Sequence, residues 1–480
     1  MNLICRPTLP CLLLAGALAS PTAFAAVDLI AIGSLSQIAD LSGLTGLLEN
    51  GVDRGNSLGG VGSGLAWAGG NTFLALPDRG PNATDWTATG GVAVDQTTSY
   101  VGRWQSLTLS LSASTGGALP YTLTPTLTGT TLLYSGTALN YGAVTSANNS
   151  AGKFYFNGRS DNFAAGSSLN AANARLDPEA IRVSNDGRSV FISDEYGPYV
   201  YQFDRATGER LKAFALPSNL AVTNISAQSA AEISGNTVGR IANKGMGGLA
   251  ITPDGSTLYG FMQSPLEQDS VGGAGKGLYN RIVQINVATG SVKQFAYNNN
   301  VGGVSNNSSE ILAVNDHQFL VLERDGKGLG DGTSASFKKL QLVDLAGATD
   351  VSTLSGAAAL APFARSGTTF LDIRLALHNF GVADTAIPSK LEGMAIGEDI
   401  VEGGKSFHTL YIANDNDFVP GVAGTNQFYV FRFTDADLAA AGGSALVNQN
   451  ISAVSEPGSW ALMLGGLLAA GAVSRRRAPR

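Results

Sequence analysis

Cysteine is nearly missing from this chain. Its two copies, Cys5 and Cys11, both lie within the first eleven residues. The rest of the chain therefore has no disulfides, no Cys-ligated zinc and no thiol nucleophile. Charge is scarce at 14%, and the balance is acidic, with 30 basic against 37 acidic residues. No basic patch precedes the extreme C-terminus, which speaks against a nucleic-acid partner. Histidine is rarer still: His317, His378 and His408 are all there is. Low charge with 61 glycines favours many short strands joined by turns over long helices.

Long apolar runs are also absent; two short ones mark the ends. Residues 1–26 read as a secretory signal peptide, with Arg6, an apolar core at 12–19 and an Ala23-Phe24-Ala25 cleavage pattern. At the other end, Ser455-Glu456-Pro457 precedes an apolar stretch at 460–473 and then Arg475-Arg476-Arg477. Fourteen helical residues span only about 21 Å, short for a bilayer, and the arginines would stay on the cytoplasmic side. This order resembles a PEP-CTERM sorting signal over 455–480, with Ser455 where that family has proline. The resemblance implies export across the inner membrane of a Gram-negative bacterium and transient membrane anchoring by the C-terminal helix. An exosortase-type processing enzyme would then remove the tail and leave the protein in the cell envelope or outside it. A plain C-terminal anchor is the alternative. Without both segments, 25 basic and 36 acidic residues remain, a net charge of −11. Such a surface repels polyanions unless a cation mediates.

Between the two segments, 27–454 reads as one domain built on a repeat. The fullest copy is 176–204: a first strand at 180–183, the turn Asn185-Asp186-Gly187, a second strand at 189–193 and a third at 199–203. Further copies start at Ser63, Gly247, Glu310 and Glu392. From copy start to polar strand end, Ser63 to Asp78, Glu179 to Asp194 and Glu310 to Asp325 all span 15 positions. A hairpin followed by a third and a returning strand is the plan of a four-stranded propeller blade. The expected fold is thus all-β, a single-domain β-propeller of six blades, with residues 101–160 supplying a divergent sixth. A β-sandwich of generic hairpins is the alternative.

At these positions the chain resembles the phytase-like domain of "esterase-like activity of phytase" proteins over roughly 45 to 435. The motifs are LPDRGPN at 76–82, DPEAI at 177–181 with SDEYGP at 193–198, and NKGMGGLAITPDG at 243–255 with QSPL at 263–266. FLVLERDG at 319–326 and KLEGMA at 390–395 with NDNDF at 414–418 complete the set. One departure stands out: Gly247 occupies a position where that family usually has glutamate. The resemblance implies an exported hydrolase acting on an ester bond of a small molecule.

In a propeller the strand ends converge around a central channel. Glu179, Glu310 and Glu392 at first-strand starts should meet Asp78, Asp194, Glu195, Glu323, Asp325, Asp415 and Asp417 at second-strand ends on one rim. So many carboxylates repel unless a cation or arginine intervenes. Oxygen-rich donors suit a hard ion, so Ca²⁺ is the expected cofactor, with those second-strand acids as its ligands. Arg79, Arg324 or Lys390 would bind phosphate oxygens, with Asn82 nearby. Glu179 or Glu392 would act as general base or acid. The reaction is then metal-assisted hydrolysis of a phosphate ester. A serine hydrolase reading rests on Gly55-Asn56-Ser57-Leu58-Gly59, but a Gly-rich loop leading into a strand is not a nucleophile elbow. A non-catalytic propeller binding a polysaccharide, lipid or protein partner remains the alternative from another class.

Overall fold

A computed structural model describes residues 27–83, 97–142, 146–161, 169–301 and 304–452. The expected signal peptide at 1–26 and the expected sorting segment at 455–480 lie outside the described residues. Five sheets, each built on four antiparallel strands, form the blades of a propeller; two carry a short fifth strand, Arg365–Ser366 running parallel to Val292–Asn298 and Ile400–Glu402 beside Lys405–Asn414. Blade I holds Gly64–Trp67, Thr72–Leu76, Arg103–Ala113 and Tyr121–Leu132. Blade II runs Pro178–Val183, Ser189–Asp194, Tyr199–Asp204 and Arg210–Ala215. Blade III runs Met246–Ile251, Thr257–Met262, Tyr279–Asn286 and Val292–Asn298. Blade IV has Asn307–Ala313, Gln318–Arg324, Lys338–Asp344 and Thr368–Asp372. Blade V has Leu391–Ile396, Lys405–Asn414 and Asn426–Phe433.

Blade V takes its fourth strand from the start of the chain. Asp28–Leu35 pairs antiparallel with Asn426–Phe433, from Asp28 opposite Arg432 to Leu35 opposite Asn426. The first strand thus closes the ring.

The expected sixth blade does not form. Arg103–Ala113 and Tyr121–Leu132 are the outer pair of blade I, and among the described residues only the two-residue strands Tyr134–Ser135 and Phe154–Tyr155 follow before 160. The physical reason is length. A strand pair of eleven and twelve residues satisfies its own ladder and needs no new hairpin to cover it.

Local sequence explains the strands. Pro178–Val183, Ser189–Asp194 and Met246–Ile251 are buried on both faces, because a blade is covered on each side by its neighbours. The outer Tyr121–Leu132 alternates between exposed and covered residues over its first half. Asn185-Asp186-Gly187 makes the predicted hairpin turn, with the Gly187 N–H donating to the Ser184 carbonyl at 2.9 Å. Asp204 and Asn286 receive the Thr207 and Thr289 hydroxyls at 2.8 and 2.9 Å, so the two Ala-Thr-Gly turns share one design.

Five apolar clusters fill the gaps between blades, one in each, and a smaller sixth joins Ala296, Val351 and Leu360. Leu74, Trp104, Ile181 and Tyr201 join blades I and II. Leu320, Leu340, Met394 and Ile412 join IV and V. Each fully buried Leu, Ile or Phe contributes about 1.5–3 kcal/mol. Angular position around the ring is therefore fixed by apolar packing.

The five inner strands surround an axis that is blocked partway. Arg182 is buried, and its Nη1 donates to the carbonyls of Leu65 and Ile181 at 2.8 and 2.5 Å. Its Nη2 donates to the Ile311 carbonyl and lies 3.0 Å from Glu310 Oε2. One guanidinium therefore ties blades I, II and IV together. Below it is a cavity of about 420 Å³ lined by Trp67, Arg182, Met394 and Val447. Residues 444–452 cross that mouth, with the Val447 N–H on the Val314 carbonyl and Gln449 Nε2 on the Val183 carbonyl. Among the described residues no helix is long and apolar enough to cross a membrane.

Candidate functional site

The inner strands of blades II to V share a device near their starts. Each carries a β-bulge, between Pro178 and Ile181, Met246 and Gly248, Ser308 and Glu310, and Leu391 and Met394. A bulge re-aims side chains and ends regular pairing. The bulged positions in register are Glu179, Gly247, Ser309 and Glu392. One rung beyond, toward the rim, Glu195 N–H meets the Asp177 carbonyl at 2.8 Å, and Gln263 N–H meets Gly245 at 2.9 Å. Asp415 N–H meets Lys390 at 3.1 Å, and Arg324 stands opposite Asn307. The rim chemistry therefore comes from equivalent positions on successive blades.

This register corrects one expectation. Glu310 is not the counterpart of Glu179; Ser309 is, and the bulge accounts for the offset of one. Glu310 points into the channel, where Oε1 accepts the Leu249 and Ile311 N–H groups at 3.0 Å each and Oε2 faces Arg182.

The centre of the site is Asp78. It belongs to two carboxylate triads, Asp78–Asp415–Asp417 and Asp78–Asp177–Glu179. Each triad offers one oxygen per residue, all within 4.8 Å of one another. Asp177 is held from blade I: the Arg79 N–H donates to Oδ1 and its Nη1 to Oδ2, both at 3.1 Å. Arg79 also donates to Asn243 Oδ1. Lys390 Nζ lies 3.1 Å from Asp415 Oδ2 and donates to Asp417 Oδ1. Arg324 donates from Nε to Ser309 Oγ at 2.7 Å and pairs through Nη2 with Glu392. Glu195 Oε1 accepts from the Gly245 N–H and from Gln263 Nε2, at 2.9 and 2.7 Å. Glu179 is only 7% exposed, and its carboxylate has neither a hydrogen-bond donor nor an ion-pair partner among the described residues.

The backbone is strained here. Among the described residues, the non-glycine residues with positive φ are Asn243 at 53°, Asp417 at 51° and Phe418 at 57°. All three belong to the site: Asn243 receives Arg79, Asp417 receives Lys390, and Phe418 packs edge-on to Tyr100 at 5.0 Å. Such conformations cost of order 1–3 kcal/mol each and persist where the surroundings impose them. Gly80, at φ 94°, is required for a second reason, since an added Cβ would sit 2.4 Å from Tyr100 Cβ.

The crowding shows in the acids. Burial, then Asp415 and Asp177, push the Asp78 carboxyl well above its ordinary range, with Arg79 and Lys390 opposing. Glu179 is pushed well up by burial and then by Glu195, Asp177, Glu392 and Asp78. Burial also raises Glu195 to about 8 and Asp194 to about 7. Glu392 is raised by burial against the pull of Arg324 and Lys390, and Asp417 is raised by burial as well. Lys390 is also held high, well above the usual lysine range, because Asp415 and Asp417 outweigh its burial and keep the ammonium charged.

The structure gathers Asp78, Glu179, Glu195, Glu392, Asp415, Asp417, Arg79, Arg324 and Lys390 at one rim. It does not bring the other expected residues into either triad. Asp194 is taken up by backbone, accepting the N–H groups of Asp177, Tyr196 and Gly197 at 3.0–3.1 Å. Glu323 is one position before Arg324, so strand alternation turns it away, and it accepts the Tyr297 hydroxyl at 2.5 Å. Asp325 binds Lys338 Nζ at 2.8 Å. Asn82 offers its backbone carbonyl to Asn50 Nδ2 at 3.0 Å. Among the described contacts no histidine reaches Ser57: His317, His378 and His408 pair with Asp344, Asp384 and Asp399.

Sequence reasoning missed Asp177, two positions before Glu179 in the quoted DPEAI motif. It also missed Asn243 and Lys244. Asn416 Oδ1 receives the Gly60 N–H at 2.8 Å and so anchors the loop over the rim. At Gly247 an added Cβ would lie 2.4 Å from Gln263 Cγ. The Gln263 side chain fills the space beside Gly247.

For a cation the donor set is consistent. It is all oxygen and mostly carboxylate, and Glu179 is a buried acceptor without a donor. These are features of a hard divalent ion rather than a soft one.

A five-bladed propeller with a carboxylate-rich rim is thus the class of protein defined by fold and site. The family model described as Phytase-like, esterase-like activity of phytase, matches residues 56–418, and the chain belongs to that family. An uncharacterized secreted protein of Arthroderma benhamiae is 26% identical over 477 residues, covering 81% of this chain and 88% of its own length. Among solved structures, a luciferin-regenerating enzyme is 9% identical, with 82% of this chain and 97% of that one covered, at a TM-score of 0.34. Regucalcin of Agrobacterium tumefaciens strain C58, described as a calcium-binding protein, is 10% identical, with 88% and 99% covered, at a TM-score of 0.32.

Proposed function

We propose that this protein is an exported hydrolase that cleaves a phosphate ester at the acidic rim with the help of a bound divalent cation, Ca²⁺ being the best match. The observation that carries this reading is the position of Arg324. It pairs with Glu392 inside the carboxylate cluster. It also lines a cavity of about 640 Å³ that contains Lys244, Lys276 and Lys327. None of these three ammonium groups has an ion-pair partner among the described residues. Lys244 is held below the usual lysine range by burial and then by the nearby Arg324 charge. An anion is the natural occupant of such a cavity.

A cation bound at Asp78, Asp177 and Glu179 would offset charge on the phosphoryl oxygens. The protein's own groups do the remaining work. Arg324 and Lys244 would hold phosphoryl oxygens in the cavity, on the side facing the carboxylates. Glu392, raised by burial and held by Arg324, is suited to pass a proton to the leaving oxygen. Asn243, in its strained conformation, fixes the Arg79 guanidinium that orients Asp177.

Export is supported by the signal-like residues 1–26, the sorting-like residues 455–480 and the relative described as secreted. The test is calcium-dependent release of phosphate from a generic phosphomonoester, with Glu179→Gln and Glu392→Gln expected to abolish it. No turnover by protein that binds calcium would leave the second reading, a non-catalytic binding propeller. That reading is favoured by one observation, the glycine at 247 with Gln263 filling the space beside it.

A further inference from the structure

The two triads around Asp78 have similar carboxylates but different surroundings. In the triad with Asp415 and Asp417, a cation is already present. Lys390 Nζ contacts both acids, 3.1 Å from Asp415 Oδ2 and hydrogen-bonded to Asp417 Oδ1. Backbone contacts fix that arrangement, the Asp415 N–H on the Lys390 carbonyl at 3.1 Å and the Asp417 N–H on Asp415 Oδ1 at 2.7 Å. In the triad with Asp177 and Glu179, the opposite holds. Arg79 neutralises Asp177 from outside, while the buried Glu179 carboxylate has no donor. A buried carboxylate without a partner is unfavourable, and a cation ligated by it removes that penalty.

We infer that the rim binds a single divalent cation, at Asp78–Asp177–Glu179, and that the Lys390 ammonium is a resident cation occupying the Asp78–Asp415–Asp417 position. Asp78 is shared by both, so its carboxylate bridges the bound ion and the ammonium. A second dication is excluded by the charge and the hydrogen bonds of Lys390. This inference rests on the metal-assisted reading above and narrows it to one ion.

Equilibrium dialysis of the whole chain against radioactive Ca²⁺ alone tests it without any activity assay. Wild type should bind one ion per chain at the rim and Glu179→Gln none. Lys390→Met, which removes the charge but keeps the length, should bind two, and Lys390→Arg one. Two ions in wild type, or one in a Lys390→Met variant with native circular dichroism, would overturn the resident-cation role. If Lys390→Met does not fold, the wild-type and Glu179→Gln counts still decide the matter: an ion kept by Glu179→Gln lies elsewhere and overturns the assignment. No ion in wild type sinks the metal reading itself. One ion in wild type, lost in Glu179→Gln, with no phosphate released, supports the site while ending the hydrolase reading.

Discussion

Arg182 and Glu310 form a buried ion pair across the channel, Nη2 to Oε2 at 3.0 Å, between the inner strands of blades II and IV. Neither residue reaches the rim. Burial raises the Glu310 carboxyl to about 7, with Arg182 as the strongest opposing influence. Removing one partner leaves the other as an unpaired buried charge. Arg182→Met should therefore cost about 3–5 kcal/mol, read as a lower midpoint in denaturant. Arg182→Met with Glu310→Leu should recover most of that loss. A single variant as stable as wild type would show that the pair does not hold the blades.

Under the proposed function Arg324 is a phosphate-binding charge, so Arg324→Ala should raise KM for a phosphomonoester at least tenfold and make it less sensitive to salt. Lys327→Ala, at the outer edge of the same cavity, should do so weakly. Unchanged KM in Arg324→Ala would remove the cavity from substrate binding.

Glu323 gives a pH prediction away from the rim. Burial raises it from 4.5 to about 7, with the Tyr297 hydroxyl and then Lys339 opposing. The folded state holds this proton more tightly than the unfolded state does. Its contribution is therefore full below about pH 4.5 and is lost as pH rises through about 7. Glu323→Gln still accepts from Tyr297 but does not titrate. It should match wild type near pH 4 and exceed it by about 1–3 kcal/mol at pH 8. Parallel stability curves for the two proteins would contradict this.

Gly247→Glu restores the acid usual in the family, but Gln263 stands in the way. Alone it should destabilise by about 1–3 kcal/mol through overpacking. Combined with Gln263→Ala the loss should shrink, giving a coupling above about 0.5 kcal/mol in a double-mutant cycle. Additive effects would mean that the two side chains do not compete.

Much of this molecule could be read from its residues, for local reasons. Turns such as Asn185-Asp186-Gly187, and strand ends such as Asp194-Glu195 and Asp415-Asn416-Asp417, are short-range signals. What was not legible depends on register and distance. A bulge moves a strand by one residue without altering its composition, so Glu310 looked equivalent to Glu179 when Ser309 is. Asp177 was passed over beside its more conspicuous neighbour Glu179, because only the three-dimensional rung shows that it faces Glu195. Arg182 reads as an interruption in an apolar strand until its partners on three blades are seen. The blade number was missed because over a hundred positions separate the inner strands of blades I and II, filled by the long outer pair of blade I and by loops.

The segment 444–452 has a consequence for traffic through the molecule. It lies across one mouth of the ring, and Arg182 blocks the bore above it. The ring is therefore a blind well rather than a tunnel. A ligand would reach the carboxylates from the rim side, and under the proposed hydrolysis its product would leave by the same doorway. Entry and exit then compete for one opening, so a slowly departing anion would inhibit the next arrival.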